Sequence, residues 1–295
     1  HEGPPGHPER SDRLRAILAA LEAPEFNALD RAEAPLADIA AIEAVHGRGH
    51  IDKVRAAEPV RGLGRMDADT YLSPGSFEAA LRAAGAGVAA VDAVLGGEID
   101  NAFCAMRPPG HHAEKARAMG FCLFNNAAIA ARHAQNFHAA GRVAIVDFDV
   151  HHGNGTQDIF WDDGSVFYAS THQMPLYPGS GAAGETGVGN IFNMPLAAGA
   201  GGSEFRAAMT GTIFPALDKF APDLLIISAG FDAHERDPLG GLMLIDDDFA
   251  WVTGELKKLA KTHCRGAVVS LLEGGYDLVG LARASAAHVR VLLQE

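Results

Sequence analysis

Short apolar runs recur along the chain, and each closes on a loop loaded with polar side chains. Ala102–Met106 (AFCAM) runs into RPPGHH, Val143–Val146 into DFDVHHGNG, and Val166–Ser170 (VFYAS) into THQMPLYPGSG. Leu224–Ser228 (LLIIS) runs into AGFDAHERDPLGG, and Val268–Leu272 (VVSLL) into EGGYD. Continuous apolar, β-branched runs of this length predict strands buried on both faces. Helical stretches lie between them, at 77–95, 125–140 and 246–263, and the first 60 residues read as helical and polar after the Pro-rich entry HEGPPGHPER. Strand, loop and helix in alternation predict an α/β fold: an open, mainly parallel sheet flanked by helices in three α/β/α layers, with residues 1–295 as a single domain. In such sheets ligands bind beyond the carboxyl ends of the strands, so the five polar loops can converge on one site.

Inside 77–95, Gly85-Ala86-Gly87-Val88-Ala89-Ala90 matches GxGxxA. A dinucleotide fingerprint needs a strand immediately before it. Here a helix surrounds the glycines, so they predict close helix packing.

The chain has 295 residues and a formal charge of −13, which argues against wrapping nucleic acid and is compatible with cationic substrates. Cys104, Cys122 and Cys264 are scattered and form no CxxC, which fits buried thiols in a reducing cytosol and predicts a cytoplasmic protein. No apolar run approaches the ~20 residues of a membrane span, so no membrane partner is expected. A homo-oligomer is compatible with the sequence.

The run VDFDVHHGNG ends an apolar strand on Asp147, Asp149 and His151 at a spacing of two. Buried acids need a cation or a hydrogen-bonded network around them. Asp149 and His151 share one side of an extended segment. With Asp237 from HERDPLG they would give three protein ligands and one open position, the pattern of a catalytic zinc site. Asp232 and His234 are rival ligands in the same loop. His111-His112 follows Arg107-Pro108-Pro109-Gly110, a stiff lead that holds the imidazoles in place, and imidazole suits proton transfer near neutral pH. The alternative, His111 and His112 as metal ligands, would leave Asp149 and His151 idle. Tyr276, after Gly274-Gly275, can donate to a developing oxyanion. Asp147 is placed to orient His111 or to hold a second cation, and Asn154 to do the same for His112 with less effect on its basicity.

At these residues the chain resembles the histone deacetylase superfamily, nearest the class II type and the bacterial deacetylase-like amidohydrolases. The strings are HPERSDRL, RPPGHHA, GFCLFNN, VDFDVHHGNGTQ, SAGFDAHERDPLGG and LEGGYD, in the family's order over nearly the whole chain. Asn154 stands where class I members carry Asp. The resemblance implies the arginase–deacetylase fold, one catalytic Zn2+ on Asp149, His151 and Asp237, tandem histidines at His111 and His112, and a carbonyl-polarising Tyr276. It implies a structural K+ near the Asp147 and Ser170 side chains, completed by backbone carbonyls including those of Asp149 and His151. Gly120 and Phe121 resemble one wall of an acyl-lysine tunnel, Tyr177 the opposite wall, and Arg13 an arginine behind its floor. The family's opening β-strand has no counterpart before His1.

The implied reaction is zinc-dependent hydrolysis of an N-acyl, mainly acetyl, amide on a lysine side chain or similar amine, with His112 favoured as base. The substrate would be an acylated lysine peptide or, as the nearest alternative, an acetylated polyamine. An arginase-like site with two manganese ions would need further bridging carboxylates. A non-catalytic acyl-lysine binding protein would be expected to have lost a ligand or the tyrosine.

Overall fold

A computed structural model describes residues 1–294. Strands β1 (Gly64–Arg65) and β2 (Tyr71–Leu72) form a small antiparallel hairpin. Strands β3 (Asn101–Cys104), β4 (Val143–Asp147), β5 (Val166–Gln173), β6 (Ile191–Leu196), β7 (Leu224–Ala229) and β8 (Val268–Leu272) form one parallel sheet in the order β3-β8-β7-β4-β5-β6. The helices are α1 (Asp12–Ala20), α2 (Ile39–Glu43), α3 (Arg48–Ala57), α4 (Ser76–Leu95), α5 (Asn126–His138), α6 (Asn154–Phe160), α7 (Gly202–Ala208), α8 (Phe214–Phe220), α9 (Asp246–His263) and α10 (Leu278–Leu293).

Strands β4, β5, β7 and β8 are buried along their whole length, as their mainly apolar sequences predict, and β5 runs three residues past its expected end at Ser170, burying the polar Thr171, His172 and Gln173 as well. Helices cover both faces. Leu271 approaches Gly87 of α4, whereas Ser270 Oγ bonds His288 Nε2 of α10 at 2.8 Å. Neighbouring residues of a strand face opposite ways, so α4 and α10 lie on opposite sides of β8. The fold is therefore the expected open parallel sheet between helical layers.

The glycines of the GxGxxA match do sit inside α4. A Cβ at Gly85 would collide with the Pro35 carbonyl, and one at Gly87 would lie 3.3 Å from Ala130 Cβ of α5. They serve helix packing.

Three expectations are corrected. The sheet has a sixth strand, β6, and the chain has the hairpin; neither was expected. The first strand covers 101–104 instead of 102–106, because Ala105 and Met106 already belong to the loop. The first 60 residues are only partly helical, and Ile17, Phe26, Ile42, Ile51 and Val54 are buried. Ile42, Ile51, Val54 and Leu72 pack around Phe124 in a second apolar cluster, beneath the loop that carries Gly120 and Phe121. Among the described residues no helix is long and apolar enough to cross a membrane, and all three cysteines are unpaired.

Candidate active site

The loops leaving the carboxyl ends of β3, β4, β7 and β8 meet at one place. Asp147 is the last residue of β4 and pairs in register with Ser170 of β5 and Ser228 of β7. Beyond it the chain turns on its own carboxylates: Asp149 N–H donates to Asp147 Oδ1 at 3.1 Å, and His151 N–H to Asp149 Oδ1 at 2.8 Å. The Asp149 carboxylate sits where the backbones of Gly230 and Gly274 come so close that a Cβ at either would collide with it. Gly274 N–H donates to Asp149 Oδ2 at 2.8 Å. Glycine at both positions makes room for this acid.

His151 Nδ1 lies 3.0 Å from Asp149 Oδ1 and 3.2 Å from Asp232 Oδ2. At this place Asp149, His151 and Asp232 bring their ligand atoms within 4.8 Å of one another, and all three are buried. Asp237 stands beside them: its charge acts on Asp232, and the Asp149 charge acts on it. Its Oδ2 accepts from the N–H groups of Tyr276 (2.6 Å) and Asp277 (3.2 Å), and its Oδ1 from Leu239 N–H (2.9 Å). The compact triad therefore contains Asp232, one of the rivals left open by the sequence, while Asp237 braces the tyrosine loop. His234, the other rival, turns away to Asp246 at 3.1 Å.

The electrostatics are those of a site built for a cation. Burial and the neighbouring Asp149 charge push Asp232 up to about 7. Burial alone would lower His151, but its hydrogen bonds to Asp149 and Asp232 outweigh that and raise it to about 10. Two carboxylates this close repel unless a positive charge lies between them, and here a protonated imidazole supplies it. Two carboxylates and an imidazole are also ordinary zinc ligands, so the donor set fits a divalent ion.

The tandem histidines stand against this cluster, with ring centroids 4.1 Å apart. Glu273, the first residue after β8, accepts the N–H groups of Gly110 (2.7 Å) and His111 (3.1 Å) and so fixes their backbone. His111 Nδ1 meets Asp147 Oδ2 at 2.9 Å, and His112 Nδ1 meets Asn154 Oδ1 at 2.8 Å. The two rings diverge in charge. Burial works against protonating His111, but Asp147, Asp149 and Glu273 overcome it and push its pKa well up. Burial, with the charges of His111 and His151, pushes His112 well down. Asn154 Nδ2 donates to Glu114 at 2.9 Å, so its oxygen faces His112 and accepts from Nδ1–H. The basic nitrogen of His112 is then Nε2, which has no hydrogen bond among the described residues.

Phe121 and Tyr177 border the same place. Tyr177 meets His112 edge to face at 5.1 Å, and Phe121 meets Tyr276 at 5.9 Å. Gly120 has φ +57°, and a Cβ there would collide with the His112 ring, so glycine is required twice over. Phe121 itself takes φ 69°, a left-handed conformation uncommon for a bulky residue. Tyr276 is half-buried beneath Arg13, whose guanidinium carbon lies 4.9 Å from the ring centroid. Arg13 donates from Nε to Gly275 O at 2.6 Å and also reaches Glu273 O. Ser170 Oγ bonds His172 Nδ1 at 2.8 Å.

Four contributors escaped the sequence reading. Glu9 ties Arg13 and Arg107 into a buried ion network behind the tyrosine loop. Its signal was the i, i+4 spacing to Arg13. Glu273 shows the same signal as Asp147, an acid closing a buried strand. Tyr168, whose hydroxyl donates to Asp147 Oδ2 at 3.1 Å, gave no signal inside an apolar run. Asp232 was named only as a rival.

Comparison with known proteins agrees with this arrangement. Residues 7–292 match the histone deacetylase domain family. The chain is 40% identical to the chloroplastic histone deacetylase 10 of rice, over 98% of this chain and 70% of that protein. It is 39% identical to the histone deacetylase-like amidohydrolase of Pseudomonas aeruginosa (92% and 73%) and to a probable deacetylase of Archaeoglobus fulgidus (95% and 79%). The crystal structure of the HDA15 HD domain superposes with a TM-score of 0.92 at 38% identity, covering 99% of this chain and 83% of that one. The chain belongs to the histone deacetylase domain family.

Proposed function

We propose that the protein is a deacetylase-type hydrolase that cleaves an N-acyl amide on a lysine side chain or a similar amine with one zinc ion. The observation that carries this reading is the neutral His112, with Nε2 unengaged, beside the buried acid–imidazole cluster. Family membership and the deacetylase names of its relatives support it.

Asp149 and His151 would hold the ion, with Asp237 as the third ligand. Asp232 is fully buried and already spans Val150 N–H (2.9 Å) and His151, whereas Asp237 is 8% exposed on the tyrosine side, where a substrate must enter. In this reading Asp232 stands behind the ligands. Bound there, a zinc ion supplies Lewis acidity to an amide carbonyl and acidifies water. The protein does the rest. Phe121 and Tyr177 flank the acyl chain, and Gly120 leaves it room. His112 Nε2 takes the proton of the attacking water. The Tyr276 hydroxyl donates to the oxygen on which negative charge develops. A histidine of the pair then protonates the leaving amine, and carboxylate and free amine depart. Asp147 and Ser170 are the proposed side chains of a potassium site behind this machinery.

A turnover panel tests the reading: acetyl-lysine peptides, longer acyl-lysine peptides and acetylated polyamines, with zinc and after chelation. Chelator-sensitive hydrolysis of the lysine peptides is expected. Preference for polyamines would move the substrate class, and full activity in metal-free protein would overturn the proposal. Asp237→Ala should lose zinc, and Asp232→Asn should keep it.

A further inference from the structure

We propose that Asp92, His133 and His138 form a second metal site, which takes one borderline divalent transition ion such as Zn2+ and pins α4 to α5. Both imidazoles direct Nε2 at one atom: His133 and His138 each lie 2.6 Å from Asp92 Oδ1. The three ligand atoms fall within 4.8 Å of one another. Neither imidazole has another hydrogen bond among the described residues, so both rings are committed to this point. His133 is further held by Phe137, with ring centroids 4.8 Å apart.

The placement favours a cation independently of the ligands. Asp92 lies in the last turn of α4, and His138 is the last residue of α5. Two helix C-termini therefore present their negative ends to the same spot, each equivalent to roughly half an electron charge. Side-chain exposures of 52% for Asp92, 11% for His133 and 21% for His138 leave the spot reachable and let water complete the coordination. Two imidazoles and one carboxylate select zinc, nickel or copper over calcium or magnesium.

The site is separate from the catalytic cluster. Helices α4 and α5 lead into β3 and β4, so their C-termini stand at the amino ends of the strands, whereas Asp147 and Asp149 stand at the carboxyl end. Close packing of Gly87 on Ala130 fixes the two helices against each other and preorganises the ligands.

Zinc titration into the protein already active on an acyl-lysine peptide tests this, comparing wild type with His133→Ala/His138→Ala and with Asp92→Asn. Wild type is expected to take one more equivalent than the double variant at micromolar free zinc, with turnover equal in all three. Added zinc should raise the melting temperature of wild type only. Equal stoichiometry in wild type and the double variant would overturn the proposal, as would binding only at millimolar zinc. So would a loss of melting temperature in the variants that is the same in chelator as in zinc, because that is the mark of a plain hydrogen-bonded brace.

Discussion

Two of the buried histidine pairs in this protein have surroundings that give them opposite work. His46 and His50 stack at 4.9 Å between the N-terminal helices and the loop before α5. His111 and His112 sit at 4.1 Å over the acid cluster. In the first pair every engaged nitrogen meets backbone. His46 Nε2 accepts from Asn125 N–H at 2.8 Å, its Nδ1 faces Lys115 O at 3.3 Å, and His50 Nε2 donates to Leu123 O at 2.9 Å. Asn125 in turn caps α5 through Ala128 N–H at 2.9 Å. The first pair is a bracket that holds a helix start. In the second pair each Nδ1 is tied to a side chain, a carboxylate for one ring and an amide for the other, and each Nε2 is left toward the cluster. Equal burial and equal residue type therefore do not make a catalytic pair, and neither does an unengaged nitrogen alone, since His50 Nδ1 is buried without a partner; what sets His112 apart is a basic nitrogen beside the acid–imidazole cluster, with its ring 5.8 Å from that of His151.

The largest test of that contrast removes one ring from each pair. His112→Ala should lower kcat by about 10²–10⁴, the usual contribution of a general base. His46→Ala should leave kcat within a few-fold and cost about 1–3 kcal/mol of stability, because the Asn125 N–H loses its acceptor. A steady-state assay and a urea titration on both variants separate the two, and a kcat loss in His46→Ala matching that of His112→Ala would break the distinction.

Tyr276 belongs with the second pair, since its hydroxyl has no hydrogen-bond partner among the described residues. Tyr276→Phe should keep fold and metal content and lose about 10²–10³ in kcat on an acyl-lysine peptide. Wild-type turnover in that variant would remove the tyrosine from the reaction.

A smaller change sharpens the contrast within the catalytic pair. Asn154→Asp would place a carboxylate on His112 Nδ1, as Asp147 already does for His111. An opposite charge at this distance raises an imidazole pKa by about 1–3 units. His112 acts as base only when neutral, so the acidic limb of the kcat/KM profile should move to higher pH. An unmoved limb would assign it to another group.

Much of this was legible in the sequence because the β4 and β8 regions declare themselves. Val268–Leu272 and 246–263 are found as predicted, since an unbroken apolar run and a long helical stretch each exclude the alternative. The edge strand Ile191–Leu196 escaped because Asn193 and Pro195 interrupt its pattern, which only an edge tolerates. The hairpin escaped because strands of two residues carry no period. At the site, spacing put Asp147, Asp149 and His151 together, since one extended segment carries all three. It left Asp232 and Asp237 undecided because a loop has no period to say which acid turns inward. Glu9 was passed over for another reason: its spacing to Arg13 reads as an ordinary helix pair, and its other partner, Arg107, lies 98 residues away.

The finest test concerns the bracket. Burial, helped by the charge of His50, lowers the His46 pKa to about 3, against about 6.5 in an unfolded chain. The folded state resists the proton that the unfolded state accepts, so the stability from neutral His46 is complete above pH 6.5 and falls as pH drops toward 3. Between pH 7 and pH 6 this one side chain should cost about 0.7 kcal/mol, and about 1.4 kcal/mol for each further unit. His288, lowered to about 3 by burial, adds a slope of the same sign. His151, raised to about 10 through Asp149 and Asp232 against its own burial, has the opposite sign, and bound zinc would replace its proton. The total slope is therefore a mixture, and the comparison must be differential. In zinc-loaded protein His46→Gln should start less stable at pH 7 yet lose about 0.7 kcal/mol less than wild type on going to pH 6, read from urea midpoints. Equal losses in the two proteins would mean that the folded protein lets His46 take a proton as readily as the unfolded chain does, and the neutral bracket would be overturned.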